Sequence, residues 1–278
     1  MLSVELGLDW LRLDPVAFSI GPIQVRWYSL AYITGILSGW LLSQRVVKNK
    51  KLWSTNQSLM TSQNVDDVII WIAIGILVGA RLGHVIFYAH EHFLESPWMI
   101  IQVWHGGMSF HGGLCGVLLA ITVFCKLNRV PLLSSIDVAA IVAPIGIFLG
   151  RIANFINGEL LGRVTTSPFG VIFPWVDYQL RHPTQLYEAF FEGFLLFCIM
   201  LFLSHHFRSL RYPGLTSSVF AIWYGTARIL IEFFREPDTT SIEPIPDWIT
   251  MGQLLSIPMI VFGAFLLSKS TRKHNVGN

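Results

Sequence analysis

Charge is what this sequence has least of. Only 13% of its 278 residues are Asp, Glu, Lys or Arg, while 53% are hydrophobic; a soluble domain carries about 25% charged residues. With a mean hydropathy of +0.57, that scarcity excludes a water-soluble globular protein and points to an integral membrane protein. A net charge of +2 gives no bulk attraction to nucleic acid, so no nucleic-acid partner is expected. Cysteine is also scarce. Cys115, Cys125 and Cys198 all lie in apolar runs without CxxC spacing, which excludes a disulfide framework. The chain has no HExxH, GxSxG or P-loop. His84, His90 and His92 lack carboxylate or cysteine partners at ligand spacing, so neither a metal nor another cofactor is expected. Residues 1–15 hold Glu5, Asp9 and Asp14 and no basic stretch before an apolar run, so a cleaved signal peptide is not expected.

What the chain does have is long apolar runs. A membrane crossing needs roughly 20 predominantly apolar residues. Seven stretches qualify on hydropathy: 20–43, 67–89, 110–127, 135–154, 185–207, 214–234 and 251–268. The expected fold is an all-α polytopic membrane protein of about seven transmembrane helices, forming one domain over residues 1–278. Alternate connections collect the basic residues. Arg45, Lys48, Lys50 and Lys51 follow the first stretch, and Lys126 and Arg129 the third. Arg208 and Arg211 follow the fifth, and Lys269, Arg272 and Lys273 the seventh. By the positive-inside rule these face the cytoplasm, which puts the N-terminus outside and the C-terminus inside.

All six lysines belong to that inner set. The outer basic residues (Arg12, Arg26, Arg81, Arg151, Arg163, Arg181, Arg228 and Arg235) are all arginine. Solubilising charge would use lysine too, so the bias favours bidentate recognition of phosphate or carboxylate. The competing explanation is salt bridging to outer acids such as Glu159, Asp177, Glu236 and Asp238. Residues 155–183 are rich in turn formers and predict a small extracytoplasmic cap. Residues 90–107, with Trp98 and Trp104 and no Lys or Arg, predict an interfacial or re-entrant arm. Glycines four apart, at Gly75, Gly79 and Gly83 and at Gly112 and Gly116, predict close helix packing. Gly112 and Gly150 also adjoin polar residues.

Four places carry candidate chemistry. Arg151, Asn154 and Gly158 fall on one helical face at the end of the fourth stretch, followed by Glu159 and Gly162. That face offers a guanidinium fork, an amide and a point of close approach to an anion. Arg228, Glu232 and Arg235 form a second stripe at i, i+4 and i+7. Two arginines sharing one glutamate leave a charge unpaired, and a bound anion would supply its partner. His111, beside Gly112 and Gly113, can accept a proton or can simply cap an interface. Tyr28, beside Trp27, can belong to an aromatic belt or can turn its hydroxyl inward to a headgroup.

Together these residues resemble the prolipoprotein diacylglyceryl transferase family. The resemblance rests on Arg26-Trp27-Tyr28, on His111-Gly112-Gly113-Leu114 and on the run Gly150-Arg151-Ile152-Ala153-Asn154-Phe155-Ile156-Asn157-Gly158-Glu159. It continues through Arg181-His182-Pro183-Thr184-Gln185-Leu186-Tyr187-Glu188, Arg228 to Asp238, and Met251-Gly252-Gln253. It departs at Ala153, where the family often has glycine. The resemblance implies a multi-pass enzyme of the bacterial inner membrane, among membrane lipids. Such an enzyme moves an sn-1,2-diacylglyceryl group from phosphatidylglycerol to the lipobox cysteine thiol of a preprolipoprotein signal peptide. A thioether forms and glycerol 1-phosphate leaves. By the same resemblance Arg151 binds the donor phosphate, with Asn154, Glu159, Gly162 and Tyr28 shaping the pocket. Arg228, beside Glu232 and supported by Arg235, stabilises charge during transfer, and His111 deprotonates the thiol, the alternative being a thiolate stabilised by an arginine with no histidine base. A lipid or anion transporter is the alternative, although the chain lacks the internal repeats expected of one.

Overall fold

A computed structural model of the protein describes residues 14–54, 58–88, 97–102, 107–237 and 250–276. It is mostly helical. A two-stranded antiparallel hairpin, β1 (Val16–Ile20) and β2 (Ile23–Arg26), turns at Gly21, whose φ of 59° a side chain would resist. It leads directly into α1 (Trp27–Lys48). The sequence predicts a first crossing from residue 20, but helix begins only at Trp27. The alternating segment Phe18, Ile20, Ile23 and Val25 pairs as strand instead.

Then follow α2 (Ser62–Tyr88), α3 (Phe110–Asn128) and α4 (Leu132–Asn157). After a loop carrying the short pair β3 (Val171–Ile172) and β4 (Leu180–Arg181) come α5 (Thr184–His205), α6 (Leu215–Glu232) and α7 (Met251–Val276). Among the described residues, four segments are long and apolar enough to cross a membrane: Ser62–Ile86, Leu132–Asn157, Thr184–His205 and Gly252–Thr271. The apolar helix Gly112–Asn128 is shorter. By length and composition this is an α-helical membrane protein with four clear crossings, fewer than the seven stretches in the sequence. Apolar side chains such as Ile70, Leu119 and Val261 are exposed on helix surfaces, as lipid-facing positions should be.

The α2–α3 pair shows what the spaced glycines do. A Cβ on Gly75 would stand 2.6 Å from the Gly116 carbonyl oxygen, and one on Gly79 would stand 2.8 Å from Gly116 Cα. A Cβ on Gly83 would lie 2.7 Å from Gly112 Cα. The two backbones touch, and Gly112 belongs to this seam rather than to a ligand. Around Gly150, by contrast, nothing lies within 4 Å of an added Cβ.

Of the predicted arm, residues 97–102 are described and Pro97–Ile101 forms a 3-10 turn; residues 90–96 and 103–106 lie outside the described set. Arg81 donates to the carbonyls of Ile100 (3.0 Å), Gly107 (3.1 Å) and Gln102 (3.2 Å), pinning that segment to α2. This arginine is structural. The apolar core, including Trp53, Phe124, Ile141, Leu196 and Met200, gathers toward the lysine-bearing end. The buried arginine–glutamate pairs gather at the other.

Candidate active site

The site begins where α4 stops. Gly158 takes the left-handed conformation, φ 64°, and the Glu159 N–H folds back to the Asn154 carbonyl at 3.0 Å. An added Cβ on Gly158 would meet the Trp175 indole. Gly158 therefore ends the helix and seats the cap, which corrects its expected place on an anion-binding face. The turn carries Glu159 back over the last helical turn, toward Tyr28 at the start of α1. The Tyr28 hydroxyl donates to Glu159 Oε2 at 2.7 Å, and the Asn154 amide donates to the Tyr28 oxygen and to Glu159 Oε2 (3.3 Å). Tyr28, Asn154 and Glu159 thus form one closed triad.

The next residues are clamped by the start of α5. Gln185 Nε2 donates to the Glu159 carbonyl at 2.6 Å, and Thr184 Oγ1 to the Leu160 carbonyl at 3.1 Å. Gly162 pairs with Arg235 in an antiparallel bridge, and a Cβ there would lie 2.8 Å from His182 Cβ. Only glycine fits. Gly162 so ties the signature loop to the end of α6, where Arg163 N–H donates to the Phe234 carbonyl at 2.8 Å.

One turn before Asn154, Arg151 points into a second cluster. Its Nε lies 3.2 Å from Glu188 Oε2, and its Nη2 donates to Glu192 Oε2 at 3.3 Å. From α6, Arg228 Nη1 binds Glu188 Oε1 and stands 4.0 Å from Glu192 Oε1, while its Nη2 is 2.9 Å from Glu232 Oε2. Arg235 Nη1 donates to Glu188 Oε1 at 3.4 Å. Three arginines therefore face three glutamates. Glu188 and Glu192 are fully enclosed, and Arg151 and Arg228 keep only 16% and 12% of their side chains exposed. The Arg228–Glu232–Arg235 stripe needs no bound anion to balance it, contrary to expectation, because α5 supplies the missing carboxylates. Glu232 packs so tightly on α7 that a Cβ on Gly252 would lie 2.8 Å from its Oε2.

Sequence reasoning gives Glu188 no role beyond its place in the run Arg181 to Glu188 and misses Glu192 altogether. Two glutamates four apart inside an apolar crossing are themselves a signal, since buried charge in a span marks function. The helix carrying them is distorted. Residues Ala189–Leu195 wind as π-helix, the Trp223 indole donates to the Phe191 carbonyl at 3.0 Å, and a Cβ on Gly193 would lie 2.7 Å from Phe148 Cα. Such π segments recur at functional sites.

His111 stands in the first turn of α3, behind Ser109, whose hydroxyl caps the helix by accepting from Gly112 N–H at 3.3 Å. The His111 side chain lies outside the described residues. On the cap, Arg181 binds Asp177 (2.6 Å), Glu236 and the Gly162 carbonyl (3.0 Å). This outer arginine is a salt-bridging one. The hydrogen bond from Arg181 holds the Asp177 carboxyl below its ordinary range, and Asp177 in turn raises the Arg181 guanidinium.

Four membrane-length apolar helices and an arginine–glutamate lattice joining α4, α5 and the end of α6 define an α-helical membrane protein with an ionic site at one end. The chain matches the family model described as prolipoprotein diacylglyceryl transferase over residues 15–269. It is 46% identical over 263 residues to the phosphatidylglycerol–prolipoprotein diacylglyceryl transferase of Rhizobium meliloti (strain 1021), covering 95% of this chain and 94% of that one. It is 48% identical over 262 residues to the protein of the same name from Rickettsia felis, covering 94% and 98%. The chain belongs to the prolipoprotein diacylglyceryl transferase family, and it is a transferase rather than a transporter.

Proposed function

We propose that Arg151 and Arg228 together grip the phosphate of phosphatidylglycerol while its sn-1,2-diacylglyceryl group passes to the lipobox cysteine thiol of a preprolipoprotein. One observation carries this reading: two arginines from different helices converge on the same pair of enclosed carboxylates. A phosphate placed between them meets two forked donors in a water-poor setting, where charge stabilisation is strongest. In the reaction a glyceryl C–O bond to phosphate breaks and a C–S bond forms. Negative charge grows on the departing glycerol 1-phosphate, where the arginines stand. The Tyr28–Asn154–Glu159 triad borders this space one turn further along α4, and Gly162 and Arg235 close it. Glu232 holds Arg228 from its own helix at 2.9 Å.

A thiol with an ordinary pKa near 8.5 needs activation. His111 serves as the base in this reading, and the thiol arrives on the substrate. Cys115, Cys125 and Cys198 play no part. Family membership and the inner placement of all six lysines support an inner-membrane enzyme with seven crossings, its N-terminus periplasmic and its C-terminus cytoplasmic.

The test is diacylglyceryl transfer to a lipobox peptide in phosphatidylglycerol vesicles. Arg151→Ala and Arg228→Ala should each abolish transfer, and Arg151→Lys should also fail because the planar fork is lost. Full activity in either alanine variant overturns the phosphate assignment. An active His111→Ala removes only the base.

A further inference from the structure

The three enclosed glutamates are not held alike. Glu188 touches Arg151, Arg228 and Arg235, so it is the hub of the lattice. Glu192 has one hydrogen bond, from Arg151 Nη2 at 3.3 Å, and its Oε1 stands 4.0 Å from Arg228. That buried Oε1 accepts no hydrogen bond, and neither do Glu188 Oε2 and Glu232 Oε2. Glu192 differs in that its contacts with the arginines, 3.3 and 4.0 Å, are longer than the 3.2 Å of Glu188 to Arg151 and the 2.9 Å of Glu232 to Arg228. Glu192 is thus the carboxylate most weakly held, and it lies between the two arginines assigned to the donor phosphate. The groups facing it are Arg151 from α4, Glu188 on its own helix, and Arg228 and Tyr224 from α6. Two glutamates on one helix, four residues apart, repel each other unless both arginines stand between them.

We infer that Glu192 is a place-holding counter-ion: it keeps Arg151 and Arg228 together in the empty enzyme, and the donor phosphate replaces it on both. This rests on the phosphate reading above. The substrate brings one negative charge into a lattice already balanced, three arginines against three glutamates. One carboxylate must then lose its partners, and the geometry selects Glu192. A fully enclosed carboxylate without a cation is unfavourable in its charged form, so Glu192 takes up a proton as the phosphate binds. The proton comes from solvent, returns when product leaves, and no covalent bond of the protein changes. Glu192 acts through Arg151 and Arg228 and is a positioning residue.

Dihexanoyl phosphatidylglycerol is a suitable probe, because its phosphodiester does not titrate near neutral pH. Titration calorimetry on the wild-type protein, in two buffers of different ionisation enthalpy, should show net proton uptake as the lipid binds. Glu192→Gln should abolish that uptake and tighten binding, lowering KM for the lipid by about tenfold, the scale of one charge-assisted hydrogen bond no longer competed for. A merely structural glutamate would instead lower kcat, leave KM unchanged or raise it, and show no uptake. No proton uptake in the wild type overturns the inference even if Glu192→Gln fails to fold. If Arg151→Ala and Arg228→Ala stay active, the phosphate reading fails. If those two are dead but uptake and the KM shift are absent, only the counter-ion role fails.

Discussion

Helix α4 carries a buried polar site at each end, and the two differ in kind. At the lysine-bearing end, Asp137 accepts from Gly214 N–H (2.6 Å), Ser217 N–H (2.8 Å) and the Ser217 hydroxyl (2.7 Å). It caps α6 from a neighbouring helix, with all of its bonds made to neutral donors that cannot leave. At the other end, Arg151 meets Glu188 and Glu192, whose Oε2 and Oε1 respectively accept no hydrogen bond. One site is saturated and rigid. The other has charge held by charge, with acceptor capacity left over, which is the condition under which a ligand can exchange with a side chain. A buried polar group marks a reactive site when its partners are replaceable, not because it is buried.

Several changes would break or sharpen that contrast. Largest should be Glu188→Ala, which strips a carboxylate from three arginines at once; it should cost about 3–5 kcal/mol of stability and eliminate transfer, as measured by thermal unfolding in detergent and by the vesicle assay. Asp137→Ala should cost about 2–4 kcal/mol by leaving the α6 donors uncapped, while transfer per folded molecule stays near that of the wild type. Equal loss of specific activity in both variants would erase the distinction. Gly79→Ala, at the α2–α3 seam, should lower stability by about 1–3 kcal/mol through overpacking and shift no binding constant for the lipid. Smallest is the cap. Because Arg181 holds the Asp177 carboxyl below its ordinary range, that contact stabilises the fold above the usual carboxylate pKa and is lost as pH falls through the lowered value. Asp177→Asn should therefore lower the melting temperature slightly at pH 7 and converge with the wild type at low pH, flattening the acid limb of the profile.

The membrane class was legible from hydropathy, and the glycine seam from its four-residue spacing. Arg151, Arg228 and the Tyr28, Asn154 and Glu159 set stood out because they are polar residues at the ends of apolar runs. Pairing was not legible. Which carboxylate answers which arginine depends on how α5 packs against α4 and α6, and no spacing within one helix encodes that. Hence the sequence alone assigns no partner role to Glu188 and Glu192, which lie inside an apolar stretch, and leaves the arginines short of carboxylates. The N-terminal hairpin was hidden too, because Phe18 to Arg26 is apolar enough to merge with the helix that follows.

The central claim is that Arg151 and Arg228 exchange a protein carboxylate for the donor phosphate. A structure determined in nanodiscs filled with phosphatidylglycerol tests it most directly. The account predicts phosphate density within hydrogen-bond distance of both guanidinium groups, with Glu192 withdrawn from them and Glu188 in place. Phosphate bound elsewhere, with both arginines still closed on Glu192, would contradict it.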